Sequence, residues 1–165
     1  MKRVVLLLLL FSVCISACTK YNSVVAQVQA QAAIDNKLVT QYLQTNGLTA
    51  QAKEVQDTTG VYYIIDTPGT VSALYTNSTS VTLGYTGSLL TTGAVFAKTD
   101  NFHPSYILGQ VIRGWQLGIP EINQGGTITL FVPSRDAYGP YPQPDFNLPP
   151  NAVLIFKITV YNVTN

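Results

Sequence analysis

The segment VIRGWQLGI, Val111 to Ile119, holds the chain's only tryptophan. Trp115 follows Gly114 and comes shortly after the β-branched Val111 and the aliphatic Ile112. A large apolar ring at that position is either plain core or the floor of a pocket. The segment reads as a helix of roughly seven residues, because Pro120 would remove a backbone donor and crowd the preceding turn. Apolar runs on both sides must supply whatever this short helix packs against.

Those runs read as strands. Val61 to Ile65 ends at the turn signal Thr67-Pro68-Gly69. Val81, Leu83 and Tyr85 alternate with Thr82, Gly84 and Thr86, the period of a half-buried strand. Thr127 to Val132 alternates again. The last run is the clearest, with Leu154, Phe156, Ile158 and Val160 on one face, opposite Val153, Ile155, Lys157, Thr159 and Tyr161. Five prolines between Pro140 and Pro150 mark an ordered, irregular loop. Strands that do not alternate with helices argue for an α+β domain with a mainly antiparallel sheet.

Upstream, residues 24–46 have helical spacing. Val24, Val28 and Ala32 repeat at four, as do Ile34, Leu38 and Tyr42, with Val39 and Leu43 beside them. Gln27, Gln29, Gln31 and Gln41 fill much of the other face, and Asn46-Gly47 is a fitting stop. Such a helix either packs on the domain, acts as a spacer, or serves as a dimerisation or partner helix.

The first residues, MKRVVLLLLLFSVCISAC, have a basic start at Lys2 and Arg3, an apolar run too short to span a bilayer, and small residues before Cys18. Residues 1–17 are expected to be a secretory signal. Ile15-Ser16-Ala17-Cys18 resembles the lipobox of bacterial lipoproteins, which implies cleavage before Cys18 and its acylation. The expected layout is then signal 1–17, tether 18–23, helix and linker 24–59, and domain 60–165. Losing Lys2 and Arg3 leaves seven basic against eight acidic side chains, a formal charge of −1. Cys14 would leave with the signal, so no free thiol would remain for disulfides, thiolate catalysis or metal sites.

The full chain has 165 residues, 47% hydrophobic and 10% charged, with a formal charge of +1. That composition excludes a disordered chain and gives no footprint for nucleic acid. Familiar catalytic sets are missing. His103 is the one histidine and sits in a Phe-His-Pro segment that reads as a turn. HExxH, GxSxG, Walker and GxGxxG patterns are absent from the sequence, and acidic residues are scattered singly. What remains is aromatic, with ten tyrosines, six phenylalanines and the tryptophan. An apolar pocket with few polar groups suits that inventory.

Four ordered motifs then carry a resemblance from about Gly60 to Val163. VTLGYTGSLLTTGAVF, LGQVIRGWQLGI, VPSRDAYG and LPPNAVLIFKITVYNV together resemble an FKBP-type peptidyl-prolyl isomerase. The resemblance implies an antiparallel sheet of five to six strands wrapped around one short helix, preceded here by the N-terminal helix. It makes Trp115 the floor of a pocket for a proline ring, with Gly114 helping the backbone turn into the helix. Tyr85, Phe96, Val111, Ile112, Tyr138 and Phe156 match the family's catalytic lining, and Leu148, Tyr106 and Ala137 its substrate-binding positions. The Ile112 N–H and the Tyr138 hydroxyl would hold substrate carbonyls. Phe156 also lies on a core-facing alternation and could be core alone.

The resemblance implies no cofactor and no metal. It implies proline-containing polypeptides as partners and macrolide-type inhibitors as ligands, and the lipobox resemblance adds a membrane contact through the lipid on Cys18. Departures from the family pattern are Ala97, where aspartate is usual, Pro104 and Tyr106 where the pocket rim often receives a phenylalanine, and Leu117, Pro120 and Asn123 around the helix. Thr19, which is not the aspartate associated with inner-membrane retention, points to the outer membrane, facing the periplasm. The expected activity is isomerisation of X–Pro bonds in envelope or secreted proteins, at reduced strength. The alternatives are a proline-binding or chaperone-like module with a decayed site, or a structural lipoprotein using the fold as a scaffold.

Overall fold

The computed structural model describes residues 2–57 and 59–165. Met1 and Thr58, and the side chains of residues 2–23 and 57, lie outside the described ones, and with them the side chains of the expected signal and tether, including Cys18, where a lipid is expected. Helix α1 is Lys2–Thr45. It stops at the expected place: Gly47 takes φ +68°, and Leu48 N–H donates to the Leu43 carbonyl at 2.8 Å, a glycine-terminated turn that satisfies the last helical carbonyls.

The buried stripe of α1 is Asp35, Val39 and Leu43, with Leu38 and Tyr42 half-buried alongside. Of the two expected repeats, Val24, Val28 and Ile34 are exposed, while Ala32, Leu38 and Tyr42 are half-buried. Those residues repeat at helical spacing, but the helix packs closely on the domain only in its last turns. Among the described residues, no helix is long and apolar enough to cross a membrane.

The strands are β1 (Lys53–Glu54), β2 (Tyr62–Thr67), β3 (Ser80–Leu89), β4 (Val95–Lys98), β5 (Ser105–Ile107), β6 (Thr127–Val132) and β7 (Leu154–Thr164), with α2 (Arg113–Gly118) between β5 and β6. They form one antiparallel sheet in the order β1-β2-β6-β7-β3-β4, with β5 also paired to β3. The seven strands exceed the expected five to six because β1 and β5 are only two and three residues long. Such short pieces carry no period and are fixed by their partners, as in Val81 opposite Tyr106.

Each face of the sheet has its own core. One gathers Leu83, Ile128, Leu130, Leu154, Phe156 and Ile158 against α2 and its Trp115. The other gathers Ile64, Leu90, Phe131 and Val153 against Val39 and Leu43 of α1. The alternation of β7 is therefore doubly used, since Phe156 faces one core while Val153 and Ile155 face the other.

Helix α2 ends at Gly118 and tightens into a 3-10 turn over Ile119–Glu121 that accommodates Pro120. Gly114 does more than ease a turn. A Cβ there would lie 2.4 Å from Val132 Cγ1, and one at Gly118 would lie 2.4 Å from Leu130 Cδ2. Both glycines let the helix lie flat on β6, which is what brings the neighbouring indole down onto the sheet.

Candidate active site

Trp115 is 5% exposed and meets three rings edge-on. Tyr85 of β3 stands at 4.9 Å and 75°, Phe156 of β7 at 5.2 Å and 86°, and Tyr106 of β5 at 5.9 Å and 86°. Phe96 of β4 closes the group against Phe156 at 5.7 Å and 85°. Edge-to-face contacts hold ring planes at fixed angles, so the cluster cannot collapse, and a cavity of about 390 Å³ stays open above it. Gly87 supports the arrangement from below: a Cβ there would stand 2.7 Å from Phe96 Cζ and 2.9 Å from Phe156 Cε1.

The polar groups are few. Ile112 caps α2, its carbonyl accepting from the Trp115 N–H at 3.0 Å and the Gln116 N–H at 3.2 Å. Gln116 also donates its side-chain amide to the Val111 carbonyl at 2.7 Å, which fixes the entry to the helix. The Ile112 N–H itself has no acceptor among the described residues. The Trp115 indole N–H is likewise buried with no acceptor there.

Phenols complete the rim. Burial pushes the Tyr138 hydroxyl's pKa up, with nearby Tyr85 adding to the shift. Tyr106 is pushed up to about 12, by burial first and then by the hydroxyls of Tyr85 and Tyr138. Both therefore stay protonated through the neutral range and act as neutral hydrogen-bonding groups. Behind Tyr138, the buried Asp136 carboxylate accepts from Arg113 Nε of α2 and from Arg135 Nε, each at 3.1 Å.

The cavity brings together Tyr85, Phe96, Val111, Ile112, Trp115, Tyr138 and Phe156, and also Tyr106. Leu148 and Ala137 are not among the residues that line the cavity. Leu148 is 3% exposed and belongs to the core, and Ala137 packs against that core at the exit of a 3-10 turn. The wall expected of Leu148 is supplied by Phe146, which meets Phe96 at 6.1 Å and Tyr138 at 6.2 Å. Asn147 takes φ 53° between them, and this left-handed step turns Leu148 inward.

Phe146 and Gln110 line the cavity and were not anticipated. A signal existed for Phe146, as the one aromatic residue that follows Tyr141 in the proline-rich loop. Ala97 lines the cavity too, so the departure from aspartate lies at the site. His103 stacks on Tyr161 at 4.0 Å and does not line the cavity. Among the described residues, no group of three or more His, Cys, Asp or Glu side chains could hold a metal ion.

An aromatic, nearly uncharged cavity with unpaired donors at its edge suits a ligand that is apolar in its body and polar only in its flanking amides. Known proteins agree with that shape. Residues 73–161 match the family described as FKBP-type peptidyl-prolyl cis-trans isomerase. FK506-binding protein 1 of Candida glabrata is 38% identical over 86 residues, covering 50% of this chain and 75% of that protein. Peptidyl-prolyl cis-trans isomerase Mip of Chlamydia pneumoniae is 34% identical over 149 residues, covering 86% of this chain and 55% of that one. The crystal structure of FkpA from Escherichia coli superposes with a TM-score of 0.66 at 28% identity, over 84% of this chain and 63% of that chain. With the motif order, the sheet and the ring-lined cavity in agreement, the chain belongs to the FKBP-type peptidyl-prolyl cis-trans isomerases and is an enzyme of that class.

Proposed function

We propose that the cavity over Trp115 is where the proline ring is turned, that Ala97 makes this isomerase slow, and that it serves secreted or outer-membrane proteins from a lipid anchor on Cys18. The observation that carries the first point is a ring-lined cavity edged by the unpaired Ile112 N–H and the Tyr138 hydroxyl. An X–Pro bond rotates slowly because the planar amide is resonance-stabilised, with a barrier of about 18–20 kcal/mol. The twisted amide has lost that resonance and much of its charge separation, so an apolar cavity disfavours it less than the planar form. Tyr85, Phe96, Trp115 and Phe156 supply the apolar surface. Ile112 N–H and Tyr138 fix the flanking carbonyls. Only what is bound better when twisted accelerates the reaction.

Ala97 supports slow turnover. An alanine lining the cavity offers no hydrogen bond where the family usually has a carboxylate. A charged hydrogen bond is worth roughly 1.5–3 kcal/mol, or about 10- to 150-fold in rate if made only in the transition state. In a protease-coupled assay on one proline tetrapeptide, Ala97→Asp should raise kcat/KM above the native value. Native activity at the family's usual level, unchanged by Ala97→Asp, would overturn this. The same alanine favours the second reading, a proline-binding module with a decayed site, which would show peptide binding without turnover.

The envelope role rests on the basic, apolar start and the Ile-Ser-Ala-Cys sequence. Membrane fractionation of the native protein and Cys18→Ser tests it. The native protein should sediment with membranes and Cys18→Ser should not. A native protein found wholly in the soluble envelope fraction ends the anchor proposal.

A further inference from the structure

Asp35 of α1 is 0% exposed, and a carboxylate removed from water is costly unless its oxygens are fully bonded. Its partners are specific. Gln31 Nε2 donates to Oδ1 at 2.7 Å, and Oδ2 accepts both the Ser134 N–H at 2.8 Å and the Ser134 hydroxyl at 2.6 Å. Among the described residues it has no cationic partner. The charge is held by amide and hydroxyl dipoles, and two of the donors come from a residue 99 positions away.

Ser134 opens a 3-10 turn, Ser134–Asp136, whose capping residue is Pro133 and which has no side-chain cap of its own. The Pro133 carbonyl accepts the Asp136 N–H at 3.0 Å, but proline has no side-chain acceptor to offer the Ser134 N–H, and Asp35 supplies one from another element. The turn leads directly into the site. The Ser134 carbonyl accepts the Ala137 N–H at 3.0 Å and the Gly139 N–H at 2.8 Å, so it brackets Tyr138. The next carboxylate, Asp136, holds Arg113 on the helix that carries Trp115. A continuous run of short bonds thus joins the buried end of α1 to the cavity wall.

We infer that Asp35 is a positioning residue for catalysis, capping the Ser134 turn so that the Tyr138 hydroxyl stands where a substrate carbonyl arrives. This rests on the reading of the cavity given above. It makes the docking of the N-terminal helix part of the active site's construction, although α1 packs on the opposite face of the sheet.

The test is a mutant cycle in the full chain: native protein, Asp35→Ala, Tyr138→Phe and the double variant, assayed on one proline tetrapeptide well below each melting temperature. Asp35→Ala should lower kcat/KM about tenfold in fully folded protein, short of the hundredfold that an ångström-scale misplacement can cause. Asp35→Asn, whose amide oxygen still accepts from Ser134, should restore most of that loss. In the Tyr138→Phe background the Asp35→Ala effect should shrink to about twofold or less, because both act through one hydroxyl.

If Asp35→Ala lowers the melting temperature but leaves the kcat/KM of folded protein unchanged, Asp35 is structural only and the inference is wrong. A full tenfold loss that persists beside Tyr138→Phe is equally fatal. A silent Tyr138→Phe would instead show that the cavity reading has failed at that hydroxyl, and the inference with it. Should Asp35→Ala not fold, Ser134→Ala removes only the hydroxyl bond and should give about a threefold loss; folded Ser134→Ala at native kcat/KM overturns the proposal.

Discussion

The two faces of the sheet are built from the same strands and behave differently. On the α2 face, large rings meet edge-on at 4.9–5.7 Å and keep a cavity open between them. On the α1 face, Val39, Leu43, Leu90 and Val153 pack, among the described residues, with one ring pair, Tyr42 on Phe131 at 5.8 Å. Branched aliphatic chains interdigitate to crystal-like density, whereas rigid planes held at right angles leave space that no neighbour fills. The open cavity therefore lies on the ring face, where binding is proposed, and the docking of α1 on the aliphatic face. The cost of a truncation should depend on which face it strikes.

The sharpest way to break that comparison is to truncate one ring on each face. Phe131, 1% exposed, is surrounded on all sides, so Phe131→Ala should cost about 3–5 kcal/mol. Trp115 borders the cavity and has fewer partners above it, so Trp115→Ala should fall at or below the low end of that range. It should also abolish most proline-peptide binding, which Phe131→Ala should leave largely intact in the folded fraction. Urea melts with peptide titration measure both. A larger stability loss for Trp115→Ala with unchanged affinity would mean that the ring face is ordinary core.

A smaller change sharpens the contrast without removing anything. In Gly87→Ala the new methyl would press on Phe96 and Phe156, at 2.7 and 2.9 Å from their ring atoms. Overpacking of this kind costs about 1–3 kcal/mol. Both rings border open space and can yield into the cavity, so stability should fall at the low end while kcat/KM falls by more than about tenfold. A stability loss with normal turnover would show that the rings relax away from the cavity.

How much of this was legible in the sequence follows from the range of the forces involved. The alternation of β7, the short span of α2 before Pro120 and the stop at Asn46-Gly47 are local effects, and all were readable. Strands β1, β4 and β5 are two to four residues long and exist because β2 and β3 offer them a partner. Most of the ring set came from motif resemblance. The burial of Leu148 beside a cavity-lining Phe146 is not readable, because asparagine permits the left-handed step at Asn147 without requiring it. The role of Asp35 is equally unreadable, because its Ser134 partner lies 99 positions along the chain and only the fold brings the two together.

The ring face should also carry an alkaline signature centred on Tyr106, beside the upward shift that burial and Glu54 give Tyr62 at the aliphatic core. Tyr106 is raised from 10.0 to about 12 in the folded protein. The unfolded chain therefore gives up this proton first. The stabilisation is fully present below pH 10 and is lost as pH rises through about 12. Melting temperature should fall across that window, and Tyr106→Phe should remove part of the fall. A melting temperature equally sensitive in native protein and Tyr106→Phe would assign the effect to other tyrosines.

The smallest effect is expected where the ring face meets solvent. Phe146 is 40% exposed and leans on Phe96 and Tyr138 without being enclosed, so Phe146→Ala should change stability by less than about 1 kcal/mol, as surface substitutions usually do. Its ring edges the mouth of the cavity, next to Tyr138, whose hydroxyl is proposed above to hold a substrate carbonyl. A large side chain preceding proline in the substrate would lie against it, whereas an alanine there would not reach. An aromatic contact is worth about 0.5–1.5 kcal/mol, or roughly two- to twelvefold in kcat/KM. Phe146→Ala should therefore slow Phe-Pro and Leu-Pro tetrapeptides by that factor and leave Ala-Pro tetrapeptides nearly unchanged. Equal losses on all three peptides would mean that Phe146 acts by holding Tyr138 in place rather than by touching substrate, and the outer edge of the ring face would then belong to its framework.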